Sequence, residues 1–278
     1  MFYSLLDSGN QQKLERFGNF VIVRPCAQAL WLPQLSEEVW ENADAYFSRD
    51  GGNRWTSKRT LPESWTVDLK GLLFKVSPTD FGHLGLFPEH HVIWEWAAEC
   101  IKKQKTQPSI LNLFAYSGSA TLAAAKAGAA VCHLDASQKM VAWARENAQL
   151  NGLSGAPIRW IVDDVMKFLR REIKRGKKYD GIILDPPSFG RGNRGEVFKI
   201  ERDLFEILNA CRDLLSETPL FMILSSHTPG MTPVVMHNLM QQTMKGRGGQ
   251  IISGEMELSA KGLFSLPCGS FARWQYES

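Results

Sequence analysis

The sequence has no long apolar run and no strong excess of either charge. A membrane-spanning helix needs roughly 18 to 20 consecutive apolar residues, and no stretch approaches that length. The amino terminus also lacks the basic segment and the apolar segment of a secretory signal. We therefore expect a cytoplasmic protein with no membrane partner. The formal net charge of +3 is too small to identify a polyanionic partner by itself.

Cysteine is also scarce, and its spacing excludes two classes of protein. The chain has five cysteines, an odd number, and none forms a Cys-x-x-Cys pair. Neither a disulfide framework nor a zinc site is therefore indicated. We expect the thiols to be small buried side chains in a reducing compartment. They are Cys26, Cys100, Cys132, Cys211 and Cys268.

From about residue 88 onward, apolar runs typical of strands alternate with segments of helical period. Strict alternation of this kind predicts an α/β fold with a doubly wound parallel sheet covered on both faces. The predicted strands are 110–115, 130–134, 158–162, 179–184 and 220–225, and the predicted helices are 119–127, 137–150, 164–174, 199–215 and 232–244. Two further strands, 250–258 and 269–276, follow without a helix between them. We expect them to pair antiparallel at one edge of the sheet.

The first 87 residues lack this alternation and are rich in tryptophan, proline and glycine. We predict a small β-rich accessory domain over 1–87 and a larger domain over 88–278. Cations alternate with tryptophans in the first segment, which suits a nucleic-acid surface, but tryptophans in a small β domain pack in the core more often. Both interpretations stay open. The residues are Arg16, Arg24, Lys58, Arg59 and Lys70, with Trp31, Trp55 and Trp65.

The run Asp185-Pro186-Pro187-Ser188-Phe189 follows a short apolar segment, where a buried parallel strand reaches the surface. Each proline fixes its own φ and cannot donate a hydrogen bond, so the turn is rigid and its carbonyls can accept protons from a ligand. Chemistry in such folds lies at strand ends. We predict Asp185, Pro186, Pro187 and Phe189 as catalytic residues. The glycine-rich segment 191–195 adds two guanidinium groups beside this turn.

Three other predicted strand ends carry polar residues that suit a nucleotide. Asp135 has the position expected for a ribose-binding acid, and Asp164 suits an adenine amino group, with Val165 as an apolar wall. Helix capping is the alternative for both acids. The loop Phe114–Ser119 has one glycine and aromatic bulk, which disfavours a pyrophosphate. S-adenosylmethionine, whose tail is an amino acid, tolerates such a loop.

Four segments together resemble a known family. They are 85–91, 112–120, 143–147 with 150–153, and 185–189. The chain from about residue 81 resembles a class I S-adenosylmethionine-dependent methyltransferase, and within that class the bacterial large-subunit ribosomal RNA methyltransferases acting on cytosine or guanine. The resemblance implies a seven-stranded Rossmann-like sheet with a reversed last strand, an RNA substrate, and a segment 87–91 that closes over the cofactor. It implies cofactor contacts at Phe114, Tyr116, Ser117, Gly118, Asp135, Asp164 and Asp185.

The absence of a cysteine in one segment limits which atom of the substrate can accept the methyl group. Methylation of cytosine C5 needs a thiolate that attacks C6. The segment 224–229, where cysteine-using relatives carry that thiol, has Ser225, Ser226 and His227 instead. We therefore favour nitrogen methylation of a purine. Phe189 either stacks on the target base or packs under the loop, and His227 is either a substrate contact or a structural histidine.

Two other functions remain open at this point. A second interpretation keeps the cofactor, but the methyl acceptor is a protein side chain or a small molecule. A nucleotide-binding module without catalysis, or an NAD-dependent oxidoreductase, is a further alternative, although the single-glycine loop argues against NAD. The sequence gives no information on the oligomeric state.

Overall fold

The computed structural model describes residues 2–50, 52–191, 195, 197–259 and 262–276. The chain forms two compact units. The first comprises Met1–His91 and Glu257–Cys268, and the second comprises Val92–Met256 and Gly269–Ser278. The first unit therefore combines two segments that are far apart in the sequence.

The first unit is rich in β-structure. A five-stranded sheet has the order β1-β2-β3-β4-β5, and β6 and β7 form a separate hairpin. The connections Asn10–Gln11 and Lys70–Gly71 have positive φ at both residues, which is the backbone of the tight turns that suit the twist of a hairpin. The elements are β1 Tyr3–Gly9, β2 Gln12–Phe17, β3 Phe20–Pro25, α1 Glu37–Glu41, β4 Ala45–Ser48, β5 Arg54–Ser57, β6 Trp65–Leu69, β7 Leu72–Val76 and a 3-10 turn at Pro88–His90.

The three tryptophans singled out in the sequence are structural. The indole N–H of Trp31 donates to the Ser8 carbonyl, that of Trp55 to Thr79, and that of Trp65 to Phe17, at 2.8 to 2.9 Å. The indole N–H of each ring is therefore used in a hydrogen bond to the backbone of its own unit.

Arg24 is also internal, although the sequence placed it among the cations of a nucleic-acid surface. It is 7% exposed and pairs with the fully buried carboxylate of Glu15 at 2.7 Å. Arg24 is therefore not available to an RNA phosphate.

One apolar cluster joins the two segments of the first unit. Leu5, Cys26 and Ala29 pack against Leu258, Leu266 and Cys268. All six side chains are less than 8% exposed. The core of this unit is thus incomplete without residues 257–268.

The second unit contains a seven-stranded sheet of order β10-β9-β8-β11-β14-β16-β15. Strands β8, β9, β10, β11 and β14 are parallel, and β16 runs antiparallel to β14. This confirms the predicted α/β fold with a reversed final strand. The elements are α2 His91–Lys102, β8 Ser109–Leu113, α3 Ser119–Lys126, β9 Ala130–Asp135, α4 Gln138–Leu150, β10 Ile158–Val162, α5 Val165–Lys174, β11 Gly181–Leu184, β12 Phe189–Arg191, β13 Val197–Lys199, α6 Ile200–Leu214, β14 Phe221–Ser226, α7 Pro233–Thr243, β15 Gln250–Leu258 and β16 Leu266–Gln275.

The central strands are apolar because both faces of the sheet are covered. Successive residues of a strand point to opposite faces. Ile110 accordingly packs in one core cluster and Leu111 in the other, and both are fully buried. Gly181 is needed at the start of β11, because a Cβ there would lie 2.7 Å from the Phe221 ring.

The sheet order reverses between β8 and β11. In open α/β sheets, ligands bind at the carboxyl ends of the strands beside such a reversal. The residues that follow β8 and β11 therefore occupy the expected position for a site. Within the described part of the chain, no helix combines the length and apolar character needed to cross a membrane.

Candidate active site

The loop between β8 and α3 forms one side of the site. Phe114, Tyr116 and Gly118 all have left-handed backbones, with φ of 53°, 48° and 92°. Non-glycine residues adopt this conformation only where their surroundings enforce it, and such residues cluster at ligand sites. Gly118 precedes the first turn of α3, and a Cβ at this position would lie 3.0 Å from the Cβ of Ala144. The loop thus passes close over α4.

Asp135 ends β9 and binds the same loop. Its carboxylate accepts hydrogen bonds from the backbone N–H of Tyr116 at 2.9 Å and of Ser137 at 2.8 Å. Burial raises the pKa of Asp135, and the two backbone donors only partly offset this. Ser137, not Asp135, caps α4, because its side chain accepts the Met140 N–H. Each carboxylate oxygen of Asp135 keeps acceptor capacity for a further donor.

A buried polar network lies beneath the loop. The side chain of Asn112 donates to the Thr121 hydroxyl, which lies 2.9 Å from Nδ1 of His133. His133 is fully buried, and burial, with a smaller effect of Arg145, lowers its pKa to about 3. Its Nε2 is buried and has no hydrogen-bond partner among the described residues. The imidazole is therefore neutral at physiological pH.

Asp163 and Asp164 follow β10. The Asp164 carboxylate accepts the backbone N–H of Lys167 at 2.9 Å, so it caps α5. Val165 packs in the apolar core and is 5% exposed. The backbone N–H of Asp163 donates to the Asp135 carbonyl, which ties the ends of β9 and β10 together.

The Asp185 corner follows β11. The hydroxyl of Ser225, on β14, donates to Oδ1 of Asp185 at 2.8 Å, and Nδ1 of His227 lies 4.0 Å from the same oxygen. Pro186 is buried, whereas Pro187 is exposed. Sequence reasoning did not identify Ser225 as the group that orients Asp185. Its position as the last residue of the predicted strand 220–225 was the available signal.

A short hairpin, β12 with β13, follows the corner and was not predicted. Phe189 is 49% exposed, and the ring of Phe198 lies 5.3 Å from that of Phe114 between centroids. A glycine-rich segment flanked by Phe189 and Val197-Phe198 is the hairpin signal that the sequence offered. Of the basic segment 191–195, residues 192–194 lie outside the described residues.

The structure brings most of the predicted residues to one edge of the sheet. Tyr116 and Asp135 join the ends of β8 and β9, and Ser225 and Asp185 join the ends of β14 and β11. Ser117 is 2% exposed, and its carbonyl accepts from the Asn147 side chain. The donor and acceptor groups suit a cofactor with a ribose and no phosphate.

All five cysteines are buried, and none lies at the end of β14.

Comparison with known proteins agrees with this arrangement. The family model described as S-adenosylmethionine-dependent methyltransferase matches residues 39–240. The crystal structure of an S-adenosylmethionine-dependent methyltransferase from Agrobacterium tumefaciens is 44% identical, with a TM-score of 0.96, and the alignment covers 100% of this chain and 91% of that one. A putative S-adenosylmethionine-dependent methyltransferase from Streptococcus mutans shares the fold at 18% identity, with a TM-score of 0.77 and coverage of 98% of this chain and 74% of that one.

Curated relatives are similar over part of the chain. The ribosomal RNA large subunit methyltransferase K/L of Hahella chejuensis is 37% identical over 194 residues, which cover 64% of this chain and 26% of the relative. The protein of the same name from Colwellia psychrerythraea is 32% identical over 160 residues, covering 57% of this chain and 21% of the relative. The chain thus spans between a fifth and about a quarter of the length of these relatives.

Proposed function

This chain belongs to the S-adenosylmethionine-dependent methyltransferase family, and we propose that it methylates a nitrogen atom of a purine base in ribosomal RNA. The observation that carries this proposal is the rigid Asp185-Pro186-Pro187 corner, the acceptor corner. It stands beside residues 114–118, the cofactor loop, at the reversal of the strand order. The names of the curated relatives support an RNA substrate.

The residues at the other strand ends fit the cofactor. Asp135, with acceptor capacity left on both oxygens, would bind the two ribose hydroxyls. The free capacity of Asp164 would accept the adenine amino group, with Val165 behind it. Phe114, Tyr116, Ser117 and Gly118 would enclose the amino-acid tail. S-adenosylmethionine supplies an electrophilic methyl group when it is bound.

The corner would hold the acceptor base. Ser225 fixes the Asp185 carboxylate, which, together with the Pro186 carbonyl, can accept hydrogen bonds from an amine on the base. Phe189 is sufficiently exposed to stack on that base. Holding the nucleophile in line with the reacting methyl is the main catalytic task, and orientation of this kind supplies on the order of 7 to 11 kcal/mol.

Nitrogen is the proposed acceptor because the carbon alternative lacks its nucleophile. The end of β14 presents Ser225, Ser226 and His227, and no cysteine thiol lies there to attack cytosine C6. A ring nitrogen or an exocyclic amine needs no covalent adduct with the protein.

The accessory domain proposed over 1–87 would hold the RNA backbone. Arg16, Lys58 and Arg59 are exposed within it. Each cation that contacts a phosphate is expected to contribute close to one unit to the salt dependence of binding. Replacing Lys58 and Arg59 with alanine should therefore weaken RNA binding and reduce its salt slope. An unchanged slope would show that these two cations do not contact RNA.

The test is methyl transfer from labelled S-adenosylmethionine to ribosomal RNA taken from cells that lack this protein. Mass spectrometry of the nucleosides identifies the methylated atom. We expect an N-methylated purine, and Asp185→Ala should lower the turnover about 10- to 150-fold through loss of the charged acceptor. Asp213→Ala, an exposed acid on α6, is the matched control.

Three outcomes would contradict the proposal. A 5-methylcytidine product would overturn the choice of nitrogen. Label that enters protein or a small molecule while RNA stays unlabelled would replace the substrate class. Cofactor binding without transfer to any of these acceptors would indicate a nucleotide-binding module.

A further inference from the structure

The hairpin after the corner brings one aromatic side chain back to the cofactor loop. Phe198 lies on β13, and its ring is 5.3 Å from that of Phe114, with 50° between the ring planes. Phe114 is the first residue after β8. Phe198 therefore touches the start of the loop in which the cofactor residues lie.

The contact falls on a conformationally costly residue. Phe114 has a φ of 53°, in the left-handed region that a bulky side chain rarely adopts. Such a backbone persists only where packing around the side chain fixes it. Phe114 and Phe198 are both partly buried against the same apolar cluster, so Phe198 is one of the groups that hold Phe114 in place.

The other end of the hairpin is attached to the acceptor corner. Phe198 pairs across the strands with Gly190. A Cβ at Gly190 would lie 3.7 Å from Cγ of Pro187 and 3.8 Å from Cβ of Phe198. Gly190 therefore lies beside both Pro187 and Phe198, and Phe198 in turn contacts Phe114.

We propose that Phe198 is a positioning residue that fixes the acceptor corner relative to the cofactor loop. The methyl-transfer part of this inference rests on the proposed function, whereas the effect on the cofactor loop does not. In-line transfer is sensitive to alignment, and a displacement of about 1 Å can lower a rate on the order of 100-fold. Loss of an aromatic pair changes an equilibrium constant by about 2- to 12-fold.

The experiment compares Phe198→Ala with the ring-retaining Phe198→Tyr. Phe205→Ala is the matched control, because Phe205 is a 39% exposed phenylalanine on α6. Calorimetry gives the affinity for S-adenosylhomocysteine, and single-turnover kinetics at saturating cofactor and RNA give the transfer rate. Circular dichroism verifies folding, and Phe198→Leu replaces the alanine variant if that variant does not fold.

We expect Phe198→Ala to weaken S-adenosylhomocysteine binding about 2- to 12-fold and to slow transfer by a larger factor, on the order of 100-fold. Phe198→Tyr should restore both quantities, and Phe205→Ala should change neither. Wild-type affinity in folded Phe198→Ala overturns the inference, as does a transfer rate at saturation that equals that of the control.

A double-mutant cycle separates this inference from the proposed function. Phe114→Leu and Phe198→Leu are measured singly and together for thermal stability without ligand and for S-adenosylhomocysteine affinity. Coupling in both quantities supports the contact, and additive effects overturn it. If wild-type protein methylates no RNA, the proposed function fails, while the cycle still decides whether Phe198 holds the cofactor loop.

Discussion

Mild acid is expected to destabilise the second unit through His133. Its pKa falls from 6.5 to about 3 because the ring is buried. Below pH 6.5, the unfolded chain binds a proton at this histidine that the folded chain excludes. The stability contributed by neutral His133 is therefore complete above pH 6.5 and is lost as the pH falls toward 3. Each pH unit in this window lowers the free energy of unfolding by about 1.4 kcal/mol.

The perturbation that tests this reasoning is His133→Asn, which removes the titration. Between pH 7.5 and 5.5, wild-type protein should lose about 1.4 kcal/mol more than the variant does. Urea unfolding at both pH values, followed by tryptophan fluorescence, measures the difference. The variant starts from a lower stability at pH 7.5, because the contact between His133 and the Trp160 ring is lost.

Thr121→Val is the matched control for this experiment. It removes the hydroxyl that lies 2.9 Å from Nδ1 but leaves the imidazole buried. Its stability should be lower at both pH values, and its pH dependence should follow wild type. Equal pH dependence in wild type and His133→Asn would refute the argument, since it would mean that the folded protein can accept the proton on His133.

Three further predictions concern single residues. Asp135→Ala should weaken S-adenosylhomocysteine binding on the order of 100-fold or more, because the proposed contacts of two ribose hydroxyls with this charged acceptor would be lost; calorimetry that shows a change below threefold would contradict the ribose assignment. Glu172→Gln should reduce the loss of stability in acid, measured as urea midpoints between pH 5 and 3. Burial opposes ionisation of Glu172, but hydrogen bonds from Tyr179 and two arginines outweigh burial and lower its pKa. The stability contributed by ionised Glu172 is therefore complete above about pH 4.3 and is lost as the pH falls through the pKa of the folded state. Gly118→Ala should cost about 1 to 2 kcal/mol in thermal unfolding, because its left-handed φ of 92° suits glycine alone; an unchanged melting temperature would show that the loop relaxes freely.

The sequence predicted the larger unit well because its elements have strong local signals. The strand Ile158–Val162 and the strand Gln250–Leu258 have the predicted bounds. Apart from the unpredicted hairpin of β12 and β13, the remaining strands and helices from β8 onward differ from prediction by at most three residues at an end. Buried parallel strands read as short apolar runs, and α4, α5 and α7 each begin at a capping side chain, so local pattern and tertiary position agree.

Contacts between residues that are far apart in the sequence could not be predicted. The hydrogen bond from Ser225 to Asp185 joins residues 40 positions apart, and the sequence shows only two polar residues after separate strands. Phe198 has no periodic context, so its contact with Phe114 appears only once the hairpin turns back. Arg24 was misplaced for the same reason, since its partner Glu15 lies on a neighbouring strand. The domain division at residue 87 and the roles of the site residues stay predictions.

The shared cluster of Leu5, Cys26, Ala29, Leu258, Leu266 and Cys268 bears on biosynthesis. Residues 5–29 leave the ribosome before residues 258–268, so their apolar face lacks its covering until that later segment has been translated. During synthesis this segment stays partly exposed while the seven-stranded sheet forms. Premature termination before residue 257 would therefore release a chain with an exposed amino-terminal face, a form that chaperones and proteases recognise.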